Sequence, residues 1–142
     1  MNARTAGYWT ATLLTAFALL PGGLFHLLHA EQAVQGIARL GYPEHFSTLL
    51  GTGKLLGGII LLAPRLPRLK EWAYAGIAIN LASAAFAHVA HGDSAGWAMV
   101  PLVILALSLA SWALRPENRR LGPSPFAPAS SPTPAGALAV EG

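Results

Sequence analysis

Four long apolar stretches dominate the chain, and short polar connections separate them. The stretches cover about residues 8–29, 46–63, 72–90 and 96–114. Each is near the roughly 20 residues that an α-helix needs to cross a hydrocarbon core of about 30 Å. None alternates in the way a half-buried strand does, and four strands are too few to close a barrel. The pattern predicts an all-α, four-helix transmembrane bundle formed by residues 1–115.

The first apolar stretch also begins in the way a signal peptide does, because Arg4 precedes it. Its apolar run extends beyond a normal signal core, and no clear small-x-small cleavage site follows Leu20. We therefore interpret this stretch as the first span.

Two segments outside the spans have patterns of their own. Residues 31–40 predict a short interfacial helix, which Gly41-Tyr42-Pro43 ends. Its apolar face consists of Ala33, Val34, Ile37 and Leu40. Residues 116–142 are rich in Pro, Ala, Ser and Gly and have no apolar periodicity. They predict a disordered cytoplasmic tail.

The composition agrees with a membrane protein. Of the 142 residues, 54% are hydrophobic and only 11% are charged, whereas a soluble domain carries roughly 25% charged residues. The chain has no cysteine, which excludes disulfides and thiolate metal sites. The net charge of +3 does not indicate nucleic-acid binding, because the basic residues form no stripe. None of the six acidic residues falls within the four stretches.

The few basic residues predict the orientation in the membrane. Arg39 alone lies on one side of the predicted bundle, in the connection after the first span. The other side carries Arg4, Arg65, Arg68, Lys70, Arg115, Arg119 and Arg120. The positive-inside rule therefore places both termini in the cytoplasm. The tryptophans fall near helix ends, as expected for rings at the membrane interface; they are Trp9, Trp72, Trp97 and Trp112.

A series of short motifs now resembles a known family. The motifs are Tyr8-Trp9-Thr10, then Leu40-Gly41-Tyr42-Pro43, then Leu50-Gly51-x-x-Lys54-Leu55-Leu56-Gly57, then Pro64-Arg65-Leu66, and finally Ala87-His88 with Gly92-Asp93. In this order, over about residues 8–115, the sequence resembles the DoxX-like family of small four-helix bacterial membrane proteins. The resemblance implies a multi-pass protein of the bacterial plasma (inner) membrane.

The resemblance also implies a function. Relatives in the family include a subunit of a thiosulfate:quinone oxidoreductase and a partner in a membrane oxidoreductase complex. It therefore implies a membrane component of an oxidoreductase system, with a quinone as the cofactor and a redox or membrane protein as a partner. The alternative is a non-enzymatic membrane scaffold or assembly factor that binds a partner protein. The family often places a lysine late in the first span, where this chain has His26 after Gly22-Gly23.

Lys54 is the most informative polar residue, because an ionisable group inside a membrane helix is costly. It lies eight residues after Phe46, roughly 12 Å below the membrane boundary at about 1.5 Å per residue. Ser47, Gly51 and Gly58 share its helical face, which favours a helix contact or a polar cavity over lipid. Lys54 either stabilises the bundle through carbonyl oxygens or binds an anionic or carbonyl-bearing ligand.

All five histidines lie on the side of the predicted bundle opposite the termini. His26 and His88 lie 18 and 16 residues after the starts of their spans, so their depths nearly match, and Asn80 lies nearly in line with His91 on the same helix. We predict that Lys54, His26, His88 and Asn80 line a ligand pocket.

The histidines have other roles that the sequence leaves open. They include interfacial hydrogen bonding, proton handling beside a quinone, and a zinc or copper site with His29, His91 and Asp93 as further ligands. A haem held by two histidines is a further alternative. The metal and haem readings rest on histidine placement alone.

Overall fold

Residues 2–122 of the chain are described by a computed structural model. This part contains five α-helices and one short turn of 3-10 helix, Glu117–Arg119. The α-helices are α1 (Ala3–Leu27), α2 (Glu31–Arg39), α3 (His45–Leu62), α4 (Pro67–His91) and α5 (Ala95–Leu114). By length and composition, α1, α3, α4 and α5 can each cross a membrane. The prediction of four apolar spanning helices is confirmed.

Local chemistry sets several helix ends. The Asn2 side chain accepts a hydrogen bond from the backbone N–H of Thr5 at 2.9 Å, which caps α1. Pro67 opens α4, where its missing N–H costs nothing. α4 ends at Gly92, whose φ of +78° suits glycine.

The early start of α4 corrects one expectation. The apolar pattern places the third span from residue 72, but the helix already begins at Pro67. Glu71 therefore lies within α4 and not in the connection before it. Glu71 accepts a hydrogen bond from Arg115 at 2.5 Å, which pairs the charge.

The four long helices form a ring. α1 packs against α3 and α5, and α4 packs against the same two helices from the opposite side. Leu19, Leu61, Tyr74, Ile77 and Leu81 fill the centre of the bundle. Large apolar side chains point outward instead, as with Phe17, which is 77% exposed, and Phe86, which is 73% exposed. Such a surface fits lipid and not water.

The closest helix contact is between α1 and α3. A Cβ atom on Gly51 would lie 2.8 Å from the carbonyl oxygen of Gly23 and from the backbone nitrogen of Leu27. Only glycine permits this approach of two backbones. Near this contact, His26 of α1 faces Ser47 of α3, and their side chains form a hydrogen bond at 2.9 Å.

The described residues after α5 are held against the bundle. Arg119 lies with its guanidinium carbon 4.6 Å from the centre of the Trp9 ring and donates to the Tyr8 hydroxyl at 3.3 Å. The predicted disordered tail begins at residue 116, and residues 123–142 of it lie outside the described part of the chain.

Candidate functional site

A cavity of about 580 Å³ lies between α1, α3 and α4, with α2 across it. All four residues of the predicted ligand pocket line this cavity: His26 from α1, Lys54 from α3, and Asn80 and His88 from α4. The structure therefore brings together residues from three helices that are far apart in the sequence. Phe46, Leu50, Ala84 and Trp97 are among its apolar lining residues.

Lys54 reaches the cavity because the helix facing it is glycine-rich. A Cβ atom on Gly22 would lie 4.0 Å from the Lys54 amine, and one on Gly23 would lie 3.0 Å from the Lys54 Cβ. Among residues 2–122, the carboxylates that form salt bridges are Glu71 and Asp93, and neither pairs with Lys54. The half-buried amine is thus a hydrogen-bond donor available to the cavity.

His26 is fixed by a serine on the facing helix. Its Nδ1 lies 2.9 Å from the Oγ of Ser47, a fully buried side chain. Ser47 Oγ also donates to the carbonyl oxygen of His26 at 3.2 Å. These two contacts span α1 and α3 and orient the imidazole ring at the cavity wall.

His88 is fixed by an aspartate that the end of α4 turns back toward it. Gly92 donates to the carbonyl oxygen of Val89, and the N–H of Asp93 donates to that of His88, both at 3.0 Å. This glycine-ended turn returns the chain over the last helical turn. His88 Nδ1 then lies 2.6 Å from Asp93 Oδ2.

The same carboxylate binds the end of α2. Arg39 donates from Nη2 to Asp93 Oδ2 at 2.9 Å, and its guanidinium carbon lies 5.8 Å from the centre of the Trp97 ring. The hydrogen bond from His88, aided by the positive charge of Arg39, holds the pKa of Asp93 below its ordinary value. Arg39, His88 and Trp97 all line the cavity, so this ion pair joins α2 to the bundle at the cavity rim.

The predicted metal ligands do not come together. His29 Nε2 lies 3.1 Å from the hydroxyl of Thr48, His91 is exposed, and Asp93 binds Arg39 and His88. Within residues 2–122, no three His, Asp or Glu side chains are grouped so that they could hold a metal ion.

Sequence reasoning missed two parts of the site. The α2 residues Gln32, Gln35 and Arg39 line the cavity, although the interfacial helix was predicted only from its apolar face. Ser47 orients His26. The sequence does place Ser47 on the same helical face as Lys54, which indicates that it lies near the site. Its hydrogen-bond partner, His26, depends on the packing of α1 against α3 and has no local sequence pattern.

The opposite end of the bundle holds a second polar cluster. Tyr74 and Thr12 each lie 2.7 Å from Ser111 Oγ, and Thr12 donates to the carbonyl oxygen of Tyr8 at 2.7 Å. Nearby, Lys70 is fully buried and donates to the carbonyl oxygens of Ile60 and Leu61, both at 2.6 Å. Here Thr12, Lys70, Tyr74 and Ser111 each have a hydrogen-bond partner within the protein.

The motif order and the helix ring can be compared with known proteins. The family model described as the DoxX-like family matches residues 10–111. The chain belongs to the DoxX-like family. Comparison with curated proteins and with solved structures gives no match to this DoxX-like protein. The matched range contains α2, α3, α4 and most of α1 and α5, and it includes every residue named above as lining the cavity.

Proposed function

We propose that this DoxX-like protein is a membrane component of a quinone-linked oxidoreductase system and that it binds the quinone ring in the cavity. The observation that carries the proposal is the convergence of Lys54, His26, Asn80 and His88 on one cavity with apolar walls. Small-molecule sites combine apolar walls with a few polar groups in this way. The oxidoreductase role itself comes from the family resemblance.

The cavity suits a substituted ring of this kind. Its volume of about 580 Å³ lies within the ~300–1,000 Å³ that is usual for ligand pockets. The aromatic and aliphatic side chains of Phe46, Leu50 and Trp97 supply surface for the ring. The ammonium of Lys54 and the amide of Asn80 can donate to the ring carbonyl oxygens. When bound, a quinone would supply the chemistry of accepting two electrons and two protons.

We also propose the membrane in which the protein lies and the side that its termini face. The chain lies in the bacterial plasma membrane with its termini in the cytoplasm, because seven of its nine basic residues lie toward the end that carries the termini. The cavity then opens in the outer half of the bilayer. A partner protein of the oxidoreductase system would supply the electrons.

Lys54→Met tests the proposal directly. The purified full chain in detergent is titrated with a decyl-substituted benzoquinone, and binding is followed by the quenching of tryptophan fluorescence, since Trp97 lines the cavity. A hydrogen bond to a charged donor contributes about 1.5–3 kcal/mol, so we expect the Kd to rise at least about tenfold. The variant Arg68→Met, which removes an exposed cation of α4, should bind as the wild type does.

Two results would contradict the proposal. One is the absence of saturable quinone binding by the wild-type protein. The other is equal binding by the wild type and Lys54→Met when circular dichroism shows both to be folded. A ligand-free protein that co-purifies with a stable, non-redox partner would support the scaffold alternative instead.

A further inference from the structure

The hydrogen bonds of His26 define which of its nitrogens carries the proton. The Ser47 hydroxyl has one proton to donate. Its oxygen, Oγ, lies 3.2 Å from the carbonyl oxygen of His26, and a carbonyl oxygen can only accept a hydrogen bond. With its proton donated there, Ser47 Oγ accepts from His26 Nδ1 at 2.9 Å. In the neutral ring Nε2 then has no proton and is a hydrogen-bond acceptor.

The same reasoning applies to His88. The Asp93 carboxylate accepts from both Arg39 and His88 at one oxygen, at 2.9 and 2.6 Å. His88 must therefore donate from Nδ1, and in the neutral ring its Nε2 is also an acceptor. Neither Nε2 has a hydrogen-bond partner among the described residues, and both rings line the cavity.

The cavity thus combines one fixed cationic donor, Lys54, with two imidazole acceptors. A quinone ring offers carbonyl oxygens, which only accept, so it would leave both acceptors without a partner. The reduced ring carries hydroxyl groups, which donate to an imidazole nitrogen and still accept from an ammonium group. A polar group that ligand binding buries without a partner costs free energy, and this cost favours the hydroxylated ring.

We propose that the cavity selects the reduced, dihydroxylated form of the ring, a quinol, and that Nε2 of His26 and Nε2 of His88 accept its hydroxyl protons in hydrogen bonds. This inference rests on the proposed function and adds to it the redox state of the ligand. His26 and His88 are specificity-determining residues for that state. Ser47 and Asp93 are positioning residues, because they act only by holding Nδ1 of each ring.

The test compares two forms of one compound. The purified full chain is titrated at pH 8, above the ordinary imidazole pKa of about 6.5, under anaerobic conditions. The ligands are decyl-benzoquinone and the corresponding quinol, prepared by chemical reduction, and equilibrium dialysis measures both. We expect the wild type to bind the quinol at least about tenfold more tightly, which is the ratio that ~1.4 kcal/mol produces.

Conservative variants assign the preference to the two rings. In His26→Asn and His88→Asn, the amide can replace Nδ1 as the donor to Ser47 or Asp93, while the acceptor Nε2 is lost. Each variant should lose most of the preference for the quinol over the quinone, because the imidazole acceptor is removed. His91→Asn removes an exposed histidine of α4 that does not line the cavity and should keep the full preference.

The outcomes separate this inference from the proposed function. If neither form binds the wild type, the proposed function fails and the inference fails with it. If both forms bind equally, or the quinone binds more tightly, the inference is overturned while the proposed function stands. If His26→Asn and His88→Asn both keep the preference, its assignment to these imidazoles is overturned.

Discussion

At the scale of single residues, two lysines in the bundle have different surroundings. Lys70 is fully buried, and its amine donates to the carbonyl oxygens of Ile60 and Leu61. Ile60 needs this donor because the residue four positions later is Pro64, which has no N–H to continue the helical hydrogen bonds. Lys54, in contrast, forms no salt bridge with a carboxylate among the described residues, and it lines the cavity. The Lys70 amine therefore caps the carboxyl end of α3, whereas the Lys54 amine is available to a ligand.

We expect Lys70→Met to destabilise the protein without changing ligand binding. It would leave two carbonyl oxygens at the end of α3 without their donor, at a cost of about 1–3 kcal/mol. The thermal unfolding midpoint in detergent should fall, while the quinone Kd stays at the wild-type value. Arg68→Met removes an exposed cation two positions earlier and serves as the matched control. An unchanged midpoint in Lys70→Met would show that these hydrogen bonds contribute little.

At the scale of elements, α2 is the helix least embedded in the bundle. It has one buried residue, Ile37, and its end is joined to the α4–α5 connection through Arg39 and Asp93 at 2.9 Å. Because α2 residues line the cavity, we expect this ion pair to influence how firmly α2 is held against it. We expect the position of α2 to depend on this single ion pair more than the position of any spanning helix depends on one contact.

Acidification should therefore release α2. The pKa of Asp93 in the folded protein is lowered, mainly by the hydrogen bond from His88. A carboxyl group with a lowered folded-state pKa stabilises the fold above its unfolded pKa, which is about 3.9 for Asp. That contribution is lost as the pH falls through the lowered value. Hydrogen-exchange protection factors, which correct for chemical exchange rates, should drop in α2 on acidification and stay high in α4.

The variant Asp93→Asn should show the same loss of α2 protection already at neutral pH. Glu31→Gln is the control, because Glu31 accepts only from Gln35 within the same helix, at 2.9 Å, and does not join α2 to the bundle. If α2 protection in the wild type were independent of pH and unaffected by Asp93→Asn, the ion pair would not hold the helix in place.

At the scale of the whole molecule, the features that depend on periodicity and depth could be predicted, and those that depend on distant contacts could not. Apolar length alone predicts α1, α3, α4 and α5. The matched depths of His26 and His88, with Lys54 on a small-residue face, predict the residues that meet in the cavity. The position of α2 depends on Arg39 meeting Asp93, 54 positions away, and no local pattern predicts such a pair. The apolar pattern also starts the third span after Glu71, whereas α4 includes Glu71, which pairs with Arg115, 44 positions away.

The final prediction concerns the orientation of the whole bundle. The contacts of Arg119 with Tyr8 and of Arg115 with Glu71 place the basic ends of α1, α4 and α5 at one end of the molecule, and Arg39 of α2 lies at the cavity end. Since the chain has no native cysteine, single introduced thiols report their side of the membrane without background. Ala38→Cys in α2 and Asn118→Cys after α5 are both at exposed positions.

In intact cells, a membrane-impermeant maleimide should label Ala38→Cys at once and Asn118→Cys only after the inner membrane is permeabilised. The physical reason is the retention of Lys and Arg on the cytoplasmic side during insertion, which here acts on seven basic residues against one. The reverse labelling pattern would place the cavity toward the cytoplasm. The quinone ring would then exchange with the inner leaflet of the bilayer.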